Sequence, residues 1–140
     1  MSKQLLIEYM TFQPQPKQLQ EARLRPGSKY LVSGKVQAAD KPNANKRIYD
    51  YETLKKQVAL YMEGPVAEKR AMGELDHPET AIINLKNVCH NITRLWWEGK
   101  DLYGEFEIVD TPSGNILKNL FEAGLNIGVS SRAMGSVTPI

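Results

Sequence analysis

The segment VCHNITRLWWEGKDLYGEFEIV, Val88 to Val109, most constrains what this chain can fold into. Two runs rich in β-branched and aromatic residues meet at Gly99 and Lys100, a glycine-first pair suited to the type II′ turn of a two-residue hairpin. Such a turn sets the register by counting: Trp97 faces Leu102, Leu95 faces Gly104, Arg94 faces Glu105 and His90 faces Val109. One surface then carries Cys89, Leu95, Trp97, Leu102, Phe106 and Ile108, and reads as core. The other carries His90, Arg94, Trp96, Glu105 and Glu107 and is half polar. Trp96 and Trp97 therefore lie on opposite faces, and one of them keeps some exposure. The Arg94 and Glu105 pair contributes a few tenths to about 1 kcal/mol, enough to favour this register without imposing it.

Around this hairpin the chain alternates strands with two helices. Gln4 to Phe12 reads as a first strand, and residues 13–29, rich in Pro and Gln, as a mobile connection. Tyr30 to Gln37 reads as a second strand with a bulge at Gly34. Asp50 is placed to cap a helix whose apolar face is Leu54, Val58, Tyr61 and Met62, stopped by Gly64 and Pro65. A second helix starts at Thr111 or Ser113 with Pro112 in its first turn, buries Ile116, Leu117, Leu120 and Phe121, and ends at Gly124. A last strand follows at once, so its placement is tight. The fold class expected is α+β, mainly β, in a single domain covering residues 1–140.

Composition enters mainly as a limit on partners. Eighteen Lys and Arg against 16 Asp and Glu leave a net charge of +2, with no strong field to recruit nucleic acid or an anionic membrane. One cysteine, Cys89, allows no internal disulfide and fits a reducing compartment. No apolar run is long enough to span a membrane and the start has no signal-peptide pattern, so a soluble cytoplasmic protein is expected.

Two short segments carry the candidate chemistry, GELDHPE (Gly73 to Glu79) and GVSSRAMGS (Gly128 to Ser136). They supply a histidine base and a serine nucleophile. Pro78 biases His77 towards an extended backbone. On a strand, Ile127, Val129, Ser131 and Ala133 share one apolar face, while Asn126, Gly128, Ser130 and Arg132 share the other. A nucleophile must reach substrate, so Ser130 is the better candidate and Ser131 reads as a core-side hydroxyl. Arg132, on the face of Ser130, reads either as an oxyanion or substrate contact or as a solvated charge.

For a third catalytic group the candidates are His90 and Asp110. Asp76, next to His77, should point away from it. His90 also reads as a structural histidine. A zinc site from His77 and His90 with Glu74, Asp76 or Glu79 is the rival chemistry, but its spacing fits no compact helical zinc motif, so no metal and no cofactor are expected.

GELDHPE, the VCHNITRLWWEGKDLYGEFEIVDTPSG block and GLNIGVSSRAMGS, in this order, resemble the prohead maturation proteases of tailed phages, in particular the T4-like prohead core group. These are similar in turn to the herpesvirus assemblins. The likeness spans about residues 43–136. It implies a small antiparallel β-barrel flanked by helices, with Ser130 as nucleophile and His77 as general base of a serine endopeptidase. It further implies scaffold and capsid proteins as substrates, cleavage commonly after an acidic residue, a homodimer, and action inside the prohead in the bacterial host cytoplasm. Relatives place the third triad member after the nucleophile strand, where this sequence offers no titrating residue except Arg132. That departure suggests a truncated or self-processed chain lacking its C-terminal strands. The alternative function is a noncatalytic capsid-assembly or scaffold-associated module with the same fold.

Overall fold

The computed structural model describes residues 4–12, 30–43, 45–75, 85–125 and 127–135. The described strands are β1 (Gln4–Phe12), β2 (Tyr30–Ala38), β3 (Met72–Glu74), β4 (Val88–Glu98), β5 (Asp101–Ile108) and β6 (Ile127–Gly135). Two α-helices, α1 (Tyr51–Tyr61) and α2 (Pro112–Glu122), complete an α+β fold. The expected connection at 13–29 lies outside the described residues.

Among the described residues the strands form two antiparallel sheets, β2-β5-β4-β3 and β1-β6. The closed barrel expected from the sequence is not formed by these strands. The β1-β6 pair is not paired with β2, and Phe12 of β1 and Ile127 of β6 pack against the core. Phe12, at the end of β1, packs its ring edge-on against Phe106 of β5 at 5.2 Å and lies 6.0 Å from Phe121 of α2. Phe12, Tyr30, Val32, Cys89, Phe106, Ile108, Leu117 and Phe121 form the core, with Ile127 packed against it.

The hairpin turn is as the sequence reads it. Gly99 has φ of +63°, the sign a II′ turn requires at its first central position. Trp97 pairs with Leu102, Leu95 with Gly104 and Arg94 with Glu105. Beyond Arg94 the expected register fails, because Thr93 is an extra residue between Ile92 and Arg94 and His90 pairs with Ile108 instead of Val109. The Thr93 hydroxyl bonds the carbonyl and carboxylate of Glu105, at 3.2 and 2.9 Å, which anchors the bulge. One inserted residue reverses face parity for everything before it. His90 therefore leaves the polar face assigned to it above and joins the face of Ile92, Leu95 and Trp97, whereas Cys89, expected on that face, has the opposite parity and is nonetheless buried in the core cluster.

On the outer face the Arg94 guanidinium lies 4.4 Å from the Trp96 ring, which stacks on Tyr103. On the inner face Trp97 meets Tyr51 of α1 edge-on at 5.0 Å. The tryptophans thus alternate as expected.

In β2 the bulge falls at Val36, between Lys35 and Gln37, and not at Gly34. Gly34 is a close-approach position, since a Cβ there would lie 2.9 Å from Cε2 of Phe12.

Both helix caps match local chemistry. The Asp50 carboxylate accepts from the Thr53 N–H at 3.0 Å. The Thr111 hydroxyl accepts from Gly114 N–H at 2.9 Å and donates to the Val88 carbonyl at 2.7 Å, tying α2 to the start of β4. The ends and faces depart from expectation. α1 runs past Gly64 and Pro65 as a π-helical turn, Met62–Val66, with the Ala67 N–H reaching the Met62 carbonyl at 3.1 Å. Pro65 supplies no N–H, and the ladder widens around it where the sequence suggested a stop. α1 buries no residue completely, and Ile116 of α2 is 50% exposed, because only Leu117 and Phe121 of α2 enter the core.

Candidate active site

The GELDHPE segment begins on an unexpected element, the three-residue edge strand β3. Gly73 pairs with His90, the ladder shifts register before Glu74, and the Leu75 N–H then donates to the Asn87 carbonyl at 2.8 Å. Asp76, His77 and Glu79 lie outside the described residues. What the structure defines is the platform from which the chain leaves towards His77, three residues beyond Glu74.

That platform rests on His90. A Cβ on Gly73 would lie 2.1 Å from Cε1 and 2.2 Å from Nε2 of the imidazole, so only glycine admits the ring at this distance. Phe106 meets the ring edge-on, centroids 5.0 Å apart. Although the residue keeps some exposed surface, its ring is desolvated and Nδ1 has no hydrogen-bond partner. Burial lowers its pKa from 6.5 to about 4, so the imidazole is neutral near pH 7. Gly73 is a structurally decisive residue that the sequence reading passed over. Its signal was a glycine inside a strand-like stretch, which often marks a close backbone approach.

Ser130 lies on β6, directly opposite Tyr9 of β1. The ladder runs from Ile127 to Gly135 without a register shift, so face parity holds along the whole strand. Ile127, the partner of buried Phe12, packs against the core and fixes which face is which. Position 129 shares the core face, whereas positions 128, 130 and 132 share the other. Arg132 lies opposite Ile7.

Asp110, the other candidate for a third group, is exposed at the start of α2 and accepts from the Asn115 side-chain amide at 3.0 Å. Among the described residues no three His, Cys, Asp or Glu side chains gather in a way that could hold a metal ion. No helix among them is long and apolar enough to cross a membrane.

Comparison with known proteins converges on one group. Residues 9–140 match the family model described as prohead core protein serine protease. The chain is 37% identical over 117 residues to the prohead core protein protease of Enterobacteria phage T4, covering 82% of this chain and 54% of that protein. It therefore spans about half the length of this curated relative. Its fold is similar to the solved structure of the bacteriophage T4 capsid assembly protease, gp21, with a TM-score of 0.85 at 31% identity, over 100% of this chain and 87% of that one. The chain belongs to the prohead core protein serine protease family.

Proposed function

We propose that this chain is a serine endopeptidase of phage prohead maturation, with Ser130 as nucleophile and His77 as general base. Family membership supports the reaction class. The unbroken alternation of the β6 ladder, in which position 130 has the parity opposite to that of the partly buried Ile127, supports Ser130 over its neighbour Ser131. In the reaction, His77 takes the Ser130 proton as Oγ attacks the scissile carbonyl, then gives that proton to the departing amine. Water releases the resulting acyl group by the same base in a second step.

Scaffold and capsid proteins are the proposed substrates, cut inside the prohead within the host cytoplasm and commonly after an acidic residue. Arg132, on the face of Ser130, is the proposed oxyanion or substrate contact. A homodimer is the proposed assembly. For His90, its close fit against Gly73 and its edge-on contact with Phe106 support a packing role against β3 over service as the third triad member.

Covalent labelling by a fluorophosphonate is the test. Uptake lost in Ser130→Ala and retained in Ser131→Ala is expected. Labelling that persists in Ser130→Ala refutes the nucleophile, and a chain that takes up no label at all is a noncatalytic assembly module.

A further inference from the structure

We infer that Phe12 is a positioning residue for the proposed reaction. Its ring, seated against the bare backbone of Gly34, sets the place of the β1-β6 pair, which carries Ser130, relative to the sheet whose strand β3 leads on to His77. The inference rests on the reading of Ser130 and His77 as nucleophile and base.

Two glycines face each other within the larger sheet. Gly34 of β2 pairs with Gly104 of β5, on the face that Val32 and Phe106 bury. Glycine weakens a strand interior and marks a place where another group comes close. Here both places are filled. A Cβ on Gly34 would lie 2.9 Å from Cε2 and 3.3 Å from Cδ2 of Phe12. One on Gly104 would lie 3.1 Å from Cδ2 of Leu95 and 3.2 Å from Cε2 of Phe106. Leu95 and Phe106 belong to the same sheet as the glycines, but Phe12 arrives from the other sheet, as the last residue of β1. It is 3% exposed, meets Phe106 edge-on and lies beside Phe121 of α2.

This fit bears on the reaction because the two proposed reactive residues depend on different sheets. Ser130 is on β6, and among the described residues no ladder joins the β1-β6 pair to β2, β5, β4 or β3. His77 follows the end of β3, an edge strand of the larger sheet, by three residues. The relative place of the two sheets is therefore left to side-chain packing. Phe12 is paired with Ile127, the residue on which β6 begins, three positions before Ser130. A displaced Phe12 carries Ile127 with it through the ladder, and Ser130 lies further along the same strand. A misplacement of about 1 Å between reacting groups costs on the order of a hundredfold in rate. Phe12 is buried in the core, so its effect on the reaction passes through the strand that bears Ser130.

The test reads phosphonylation of the whole chain by an alkyl fluorophosphonate, in which Oγ of Ser130 bonds to phosphorus, fluoride departs and the hydroxyl proton leaves through His77. The maximal rate is separated from the half-saturating probe concentration. Gly34→Ala sets a methyl against the Phe12 ring and should lower the maximal rate about tenfold or more, with half-saturation within about twofold of wild type. Phe12→Leu in that background gives back the space, and the double variant should recover to within about threefold of wild type. Asp50→Ala, which removes the α1 cap, should lower the melting temperature and leave the rate unchanged. A Gly34→Ala rate within about twofold of wild type overturns the inference, and so does a loss that Phe12→Leu fails to relieve or that Asp50→Ala reproduces. If Gly34→Ala does not fold, Phe12→Leu alone decides: its maximal rate should fall by more than about twofold, and a smaller change overturns the inference. A wild-type chain that takes up no label, or a Ser130→Ala variant that still does, removes the nucleophile and this inference with it, an outcome seen before any change at Phe12 or Gly34.

Discussion

Replacing Gly73 by alanine should destabilise the protein far more than its position on a short edge strand suggests. The added methyl would sit 2.1 Å from Cε1 of His90. Carbon atoms prefer separations of about 3.5–4.0 Å, so ring or strand must yield by roughly 1.5 Å. The ring has little freedom, since Phe106 packs edge-on against it and its own backbone is paired on both flanks, to Gly73 and to Ile108. Inserting a carbon into a filled site costs about 1–3 kcal/mol, and a shortfall of this size belongs at the upper end. About 3 kcal/mol corresponds to roughly 10 °C in melting temperature for a chain of this length.

The diagnostic measurement is a double-mutant cycle by urea and thermal unfolding. In a His90→Ala background the ring is gone, and Gly73→Ala should then cost less than about 0.5 kcal/mol, a coupling of about 2–3 kcal/mol. A Gly73→Ala single variant that melts within about 2 °C of wild type refutes the argument. An equal cost in both backgrounds does so too.

Two further outcomes follow from the described groups. Because His90 titrates at about 4 when folded and near 6.5 when unfolded, the unfolded chain binds the extra proton in that window and stability falls as pH drops from 6.5 to 4. The loss is on the order of 3 kcal/mol relative to His90→Gln, read by urea unfolding at several pH values, and a constant difference between the two proteins contradicts it. Thr111→Ala removes the α2 cap and the bond to Val88 together, and should cost about 1–2 kcal/mol in urea unfolding; a change below about 0.3 kcal/mol means the cap is dispensable.

Local chemistry alone determined much of this protein. The Asp50 and Thr111 caps, the turn at Gly99, the extent of β1 and the alternation of Trp96 and Trp97 follow from interactions spanning a few residues, and all were legible in the sequence. So was the family, from three motifs in order. Only the tertiary structure decided the rest. Whether Thr93 stands in the ladder or bulges out depends on Glu105 across the hairpin, and that one residue moves His90 from the polar face to the core. Gly73 matters because of a ring seventeen positions away, and Tyr9 joins Ser130 through a pairing that closes almost the whole chain. The physical reason is the same in each case: turns and caps are settled by neighbours along the backbone, whereas bulges, close approaches and strand partners are settled by which distant surfaces pack together.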